Sequence, residues 1–265
     1  MPQPQIDPLV LGVLNVTPDS FSDGGRFLDP DAAIGHGQAL VGAGADVVDV
    51  GGESTRPGAT PVDPQEEARR VLPVVRALVA GGIRVSIDTR RASVAEAAVD
   101  AGATIVNDVD GGLDPALLRL VAGSTVDLVL MHSRGPAAGA GGYRDVVAEV
   151  ASDLRRRVDV AVAAGIDPGR LVIDPGIGFS KSAEENWRLL ASLDALRIDD
   201  LRMLVGVSRK RFLGELVGGE PEERDGVTAV VSALLAERGV WAIRVHEPAG
   251  TRAALEVVRR MRAAA

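Results

Sequence analysis

Residues 84–131 read RVSIDTRRASVAEAAVDAGATIVNDVDGGLDPALLRLVAGSTVDLVLM. Three short apolar runs, Arg84–Asp88, Thr104–Asp108 and Asp127–Met131, are separated by two longer stretches, Ser93–Ala101 and Pro115–Ala122, with helical spacing of apolar residues. The short runs are continuously apolar, which is the pattern of parallel strands covered by helices rather than of a sheet with one wet face. The segment predicts strand–helix–strand–helix–strand.

The same alternation continues in both directions. Upstream, Val10–Asn15 and Ala45–Gly51 read as strands, with helices at Asp31–Val41 and Pro64–Ala80. Downstream, strands are expected at Leu171–Asp174, Met203–Val207 and Trp241–His246. Helices are expected at Tyr143–Ala164, Ala183–Leu193, Phe212–Val217, Asp225–Arg238 and Thr251–Arg262. In the long one, Val146, Val150, Leu154, Val158 and Val162 recur every four residues, predicting one apolar stripe. Eight strands in 265 residues suit an α/β fold of the (β/α)8 TIM barrel type, which takes about 250 residues. A doubly wound open sheet also alternates strand and helix; strand count and length favour the barrel. No linker or composition shift divides the chain, so residues 1–265 are expected to form a single domain.

Composition narrows the function. The absence of cysteine excludes a disulfide framework, a thiolate metal site and a cysteine nucleophile, and fits a reducing, cytoplasmic setting. A net charge of −8 argues against general binding to nucleic acid or an anionic membrane. With aromatics at 3%, a base-stacking platform is not expected either. No run is long and apolar enough for a transmembrane helix. Met1–Pro8 lacks the basic region of a signal peptide, so the Asn15-Val16-Thr17 sequon is not read as glycosylated. Phosphate-loop, HExxH and GxSxG motifs are absent.

In a parallel barrel the active site lies at the carboxyl ends of the strands. Those ends carry Asn15, Asp49, Asp88, Asn107-Asp108, His132, Asp174, Ser208-Arg209-Lys210 and Arg244-Val245-His246. Several sit directly against apolar core residues, where an unpaired carboxylate costs a few kcal/mol or more, so each calls for a partner or a ligand. Lysine adds a clue. Only Lys181 and Lys210 occur, all other basic side chains being arginine, and both follow strand ends. A compact ammonium suits a site in which a planar guanidinium would not fit. His36, on the first helix, reads as structural.

These residues fall into motifs that resemble the dihydropteroate synthase family. Residues 15–25, NVTPDSFSDGG, are similar to its first signature and residues 49–58, DVGGESTRPG, to its second. Ser86-Ile87-Asp88-Thr89, Asn107-Asp108-Val109, Asp174-Pro175-Gly176-Ile177-Gly178-Phe179, Ser208-Arg209-Lys210 and Arg244-Val245-His246 follow in family order, so the resemblance covers about residues 9–262. It implies a pterin-binding barrel, commonly a homodimer and a sulfonamide target. The implied reaction joins 6-hydroxymethyl-7,8-dihydropterin diphosphate to p-aminobenzoate, giving 7,8-dihydropteroate and pyrophosphate for folate synthesis, with Mg²⁺.

The resemblance also implies roles, and the residue chemistry is consistent with them. A pterin presents a guanidine-like edge, which an ionised carboxylate can accept at two points; Asp174 is expected there. Asp88, Asn107 and Lys210 complete the expected pterin pocket, and Arg209 is expected to stack on its face. Thr55, Arg56, Pro57, Phe179, Ser208 and Lys210 are expected to line the p-aminobenzoate side. Arg244 and His246 are expected to stabilise charge on the departing pyrophosphate, and Asn15 to contact Mg²⁺, whose remaining ligands would be water and phosphate oxygens. The family path is dissociative, with C–O cleavage ahead of attack, so no strong general base is expected. The segments Thr17–Arg26 and Ser54–Thr60 are expected to close over the substrates and exclude water.

Glu247 stands where the family commonly has Asp, Asp110 where Ser is frequent, and Ser133–Gly142 differs in composition. Two rival readings share the pterin-pocket residues: a methyltransferase barrel that binds methyltetrahydrofolate, and a non-catalytic pterin-binding paralogue. Both fit the complete loop motifs and the intact Asn15, Arg56, Lys210, Arg244 and His246 less well. A sugar-phosphate isomerase or lyase barrel is more distant.

Overall fold

Every strand expected from the sequence forms, and the eight close on themselves. The computed structural model describes residues 7–17, 29–54, 62–135 and 139–264. The strands are β1 (Leu9–Asn15), β2 (Val47–Gly51), β3 (Val85–Asp88), β4 (Ile105–Asp108), β5 (Asp127–Met131), β6 (Leu171–Asp174), β7 (Arg202–Val205) and β8 (Ala242–Val245). Each is parallel to both neighbours, and β8 returns to β1 through Leu9 opposite Ala242. Closure rules out the open doubly wound sheet.

Among the described residues the helices are α1 (Pro30–Gly42), α2 (Pro64–Ala80), α3 (Ala92–Asp100), α4 (Pro115–Ala122) and α5 (Val146–Ala163) in the first half. They continue with α6 (Ala183–Ala191), α7 (Arg211–Val217), α8 (Asp225–Glu237) and α9 (Pro248–Ala263). A recurrent acid-proline pair starts four of them. Asp29, Asp63, Asp114 and Glu247 cap α1, α2, α4 and α9, each side chain accepting a backbone N–H of the first turn at 2.8–3.0 Å. The following proline has no N–H to leave unsatisfied and a preset φ. Glu247, one of the departures from the family pattern, is thus a helix cap, and α9 starts three residues before the expected Thr251. None of the described helices is long and apolar enough to cross a membrane.

The stripe expected on α5 bends. Val146, Val150, Leu154 and Val158 are buried, but Val162 is 40% exposed and Ala161 takes its place in the core. A strict four-residue repeat drifts by about 40° per step on a helix of 3.6 residues per turn, so the fifth member has rotated off the buried face.

The barrel's two faces account for the continuous apolar runs. Outward residues such as Val48, Val50, Ile87, Val106, Leu128, Ile173 and Ile243 pack with the helices in one core. Inward, Leu11, Val47, Ile105, Val129, Val172, Leu204 and Ala242 form a separate layer that fills the barrel. Side chains alternate between faces along a strand, so the next inward positions toward the carboxyl ends lie two residues on. There the interior changes character: Asp49, Asp88, Asn107, Asp174 and Arg244 replace the aliphatic side chains. The hydrocarbon layer thus lies beneath the charged carboxyl ends, with the paired Asp127 and Arg202 at the amino ends below it.

Candidate active site

The charged end of the barrel opens into a cavity lined by Asp88, Asn107, Met131, Asp174, Phe179, Ser208, Lys210, Arg244 and His246, with Val109 and Gly206. Its wall is contributed by residues at or just beyond the ends of β3 to β8. Eight of the residues expected from the sequence therefore meet in one place. Asn15 stands at the end of β1. Its Oδ1 and the Oδ2 of Asp88 each lie 3.6 Å from the point at which Gly51 would carry a Cβ, so both side chains approach the same glycine.

Arg244 organises the floor. Its Nε donates to Asp49 Oδ2 at 2.5 Å and its Nη2 to Asp88 Oδ2 at 2.7 Å. Asp49 Oδ2 also accepts from Asn107 Nδ2 at 3.0 Å. Asp49 is fully buried, and its Oδ1 has no hydrogen-bond partner. Two carboxylates thus share one guanidinium. Burial, with Asp49 adding to it, pushes the Asp88 carboxyl up to about 7, against the pull of Arg244. The paired carboxylates hold Arg244 firmly protonated despite its burial.

On the opposite wall, Asp174 Oδ1 accepts from the Gly176 N–H at 2.7 Å. Burial raises its pKa, opposed chiefly by Lys210. Lys210 is itself lowered to about 8 by burial, with Asp174 opposing. Its ammonium donates to the Ile177 carbonyl and sits 4.7 Å from the centre of the Phe179 ring. Ser208 Oγ accepts from the His246 N–H at 3.1 Å and lies 3.1 Å from His246 Nδ1. A hydroxyl that accepts from the backbone is free to donate to Nδ1, which leaves the proton of neutral His246 on Nε2.

Arg209 does not line the cavity. Its backbone takes a left-handed φ of 59°. Its guanidinium grips Asp225 through two bonds of 2.9 and 2.8 Å and reaches Glu222 at 3.1 Å. Among the described residues the planar cation at the cavity is Arg244. Thr55, Arg56 and Pro57 lie outside the described residues, as do residues 18–25 of the first motif. The departure Asp110 faces solvent-side arginine chemistry, 3.6 Å from Arg90, rather than the cavity. Asp49 and Met131 are the functional positions to which the sequence reading gave no role. For Asp49 the signal was present: a carboxylate inside the run Val47-Val48-Asp49-Val50 must find partners.

A wider hollow lies outside the barrel mouth, against α5, lined by residues including His132, Arg134, Tyr143 and Arg156. Its charges are spent on each other, Arg134 with Glu149 at 2.7 Å and Arg156 with Asp153. The barrel cavity, which gathers carboxylates, an amide, an ammonium, a guanidinium and an imidazole around one space, is the site for a polar heterocycle.

Residues 11–246 match the model of the pterin binding enzymes, and the chain belongs to that family. Its relatives narrow the class. Over 260 residues it is 56% identical to dihydropteroate synthase of Mycobacterium leprae (strain TN), covering 94% of this chain and 92% of that one. The structure of the Xanthomonas albilineans dihydropteroate synthase with 4-aminobenzoic acid superposes with a TM-score of 0.93 at 48% identity, covering 98% and 94% of the two chains. A structure from the same organism with 7,8-dihydropteroate gives 0.89 at 45% identity, covering 98% and 95%. Within the pterin-binding barrels, the chain is a dihydropteroate synthase.

Proposed function

We propose the following division of labour for the reaction of this transferase. The enzyme condenses 6-hydroxymethyl-7,8-dihydropterin diphosphate with p-aminobenzoate to give 7,8-dihydropteroate and pyrophosphate, in folate synthesis. Asp174 accepts the amine and ring N–H of the pterin edge. Asp88 and Asn107 bind the remaining ring polar atoms, and Lys210 donates to the ring's carbonyl oxygen or a ring nitrogen. The observation that carries this reading is the meeting, in one cavity, of two acceptor carboxylates with an amide and an ammonium, each at or beyond the end of a different strand.

Arg244 and His246 Nε2–H face the diphosphate. Negative charge grows there as the C–O bond breaks, and fixed donors in a site poor in water stabilise it without reorganising. The amine of p-aminobenzoate then attacks the carbon left behind. Because cleavage leads attack, the amine's weak basicity is sufficient. Phe179 and Ser208 form the described part of the p-aminobenzoate side, with Thr55, Arg56 and Pro57 completing it.

Mg²⁺ is the proposed cofactor. Among the described residues no group of three or more His, Cys, Asp or Glu stands ready to hold a metal. The donor set suits an ion carried in largely by the diphosphate, with the Asn15 amide oxygen as its protein contact. When bound, the ion neutralises charge on the leaving group.

A second copy of the chain is proposed to pack on α8 and α9. Val230 and Leu234 on α8, and Val257 and Met261 on α9, are each 58–69% exposed. Each pair is four residues apart, so each forms a stripe along its helix. Such an apolar face favours a symmetric homodimer. With no cysteine in the chain, a cytoplasmic setting is the proposed location.

The test is pyrophosphate release from purified protein given the pterin diphosphate, p-aminobenzoate and Mg²⁺. Release dependent on both substrates supports the reading. Pterin binding without release would favour the non-catalytic paralogue, and release unaffected by EDTA would remove Mg²⁺ from it. Sedimentation of Leu234→Arg as a monomer, against a wild-type dimer, tests the interface.

A further inference from the structure

The two lysines of this arginine-rich chain both bond to carbonyls of one loop, and only Lys210 has a part in the reaction described above. Lys181, 4% exposed, stands at the end of the β6–α6 loop, residues 175–181. Its Nζ donates to the carbonyls of Gly176 at 2.9 Å and Phe179 at 3.0 Å, and lies 3.0 Å from His132 Nδ1 and 3.4 Å from the His132 carbonyl. Lys210 takes the intervening carbonyl, that of Ile177. The loop is thus held at three of its carbonyls by two lysine side chains.

The loop is otherwise an unfavourable conformation. Gly176, Gly178 and Ser180 all have positive φ, the last without the freedom of glycine. Gly176 passes so close to β5 that a Cβ there would lie 1.9 Å from the His132 carbonyl oxygen. Turning a peptide group this way leaves carbonyls pointing into the protein, where each needs a donor. Three acceptors at 2.9–3.0 Å around one nitrogen match the three donors of an ammonium. A guanidinium spreads its donors over a plane and does not converge them on a point. This accounts for a lysine at 181 in a chain that otherwise uses arginine almost throughout.

We propose that Lys181 is a positioning residue for the reaction: by gathering the carbonyls of Gly176 and Phe179 onto His132, it fixes the loop that presents Phe179 to p-aminobenzoate. The inference rests on the placing of Phe179 beside that substrate. Lys181 touches neither substrate, and its effect passes through the shape of the loop.

The test compares Lys181→Met, Lys181→Arg and Phe179→Leu by steady-state kinetics with each substrate varied. The expected result is a KM for p-aminobenzoate raised about tenfold or more in all three, the size set by losing a charge-assisted bond or the ring contact. The KM for the pterin diphosphate is expected to stay within about threefold of wild type. A wholly structural role would instead lower the amount of active enzyme and leave both KM values alone, which would overturn the proposal, as would a wild-type KM for p-aminobenzoate in Lys181→Arg. A raised value in Phe179→Leu with an unchanged one in Lys181→Met overturns this inference alone. Unchanged values in both overturn the placing of Phe179 as well. Should Lys181→Met not fold, the wild type decides. With ¹⁵N-labelled lysine the chain gives two side-chain signals, and one is expected to exchange slowly with solvent in the unliganded enzyme. Two rapidly exchanging signals would sink the proposal.

Discussion

Asp49→Asn removes a charge from the floor of the site while keeping its volume. In the wild type, Asp49 Oδ2 accepts from Arg244 Nε at 2.5 Å and from Asn107 at 3.0 Å. An amide oxygen can still accept both bonds, but the Arg244 bond passes from an ion pair to a charged–neutral contact. Bonds to charged groups contribute about 1.5–3 kcal/mol, and with Arg244 still charged the variant bond stays at the low end of that range, so the loss is at most about 1.5 kcal/mol. That corresponds to a fall of up to roughly 12-fold in kcat/KM for the pterin diphosphate, if it appears in transition-state binding. A second consequence has a definite sign. Asp88 must be ionised to accept ring N–H groups, and burial together with Asp49 raises it to about 7. The wild-type kcat/KM should therefore fall as pH drops through about 7. Without the Asp49 charge, Asp88 loses a like-charged neighbour and gains a larger share of Arg244, so its pKa falls. The variant's acid limb then moves to lower pH, and at pH 6 it keeps a larger fraction of its own maximum than the wild type does. Pyrophosphate release measured from pH 5 to 9 gives both quantities. An acid limb that stays in place or moves to higher pH would refute the shared-guanidinium account.

Arg244→Ala should reduce turnover about 10²–10³-fold, as for loss of one donor to a developing anion; wild-type turnover would remove it from the leaving-group role. Asp174→Ala should abolish measurable pterin binding in calorimetry, and retained affinity would contradict the pocket as drawn. The alkaline limb of kcat/KM should lie near 8, where Lys210 loses its proton and with it the charge that Asp174 faces; a profile flat from pH 7 to 9 would count against this. Gly176→Ala sets a methyl group 1.9 Å from the His132 carbonyl oxygen, at a φ of 63°. It should cost several kcal/mol of stability, visible as a large fall in urea midpoint, and an unchanged midpoint would mean the β5–β6 crossing is looser than the structure has it.

What the sequence made legible follows from periodicity and local chemistry. Eight apolar runs of strand length, separated by helix-length amphipathic stretches, leave few arrangements open, and the acid-proline pairs mark where helices begin. The carboxyl-end residues were readable because a carboxylate or amide at the end of a buried strand stands out against its neighbours. Less legible was the direction of each side chain. Arg209 sits between two cavity residues, yet its left-handed backbone turns it to Asp225 and Glu222, and both partners lie more than ten residues away in sequence. Asp49 belongs to a conspicuous motif, but its role depends on Arg244, 195 positions later and brought alongside only by closure of the barrel.

That closure also explains how the site can hold so much charge. Two carboxylates and a guanidinium buried together would be a poor way to stabilise a protein, since desolvation consumes much of their attraction. In the barrel they rest on a hydrocarbon layer drawn from seven of the eight strands, Leu11 to Ala242, and the outer core of strands and helices supplies the stability separately. The rim is therefore released from contributing to folding and can remain partly unsatisfied. Asp49 Oδ1 is buried without a partner, and Asp88 and Asp174 are both held above their ordinary carboxylate range. A heterocycle that brings N–H donors to these acceptors relieves a cost already present in the free enzyme, so part of its binding energy comes from the protein's own unfavourable state. On this argument substrate binding should draw Asp88, held at about 7, toward full ionisation and release a proton. Calorimetry in buffers of different ionisation enthalpy measures that release directly, and proton uptake on binding near pH 7 would show that the carboxyls instead serve as neutral donors.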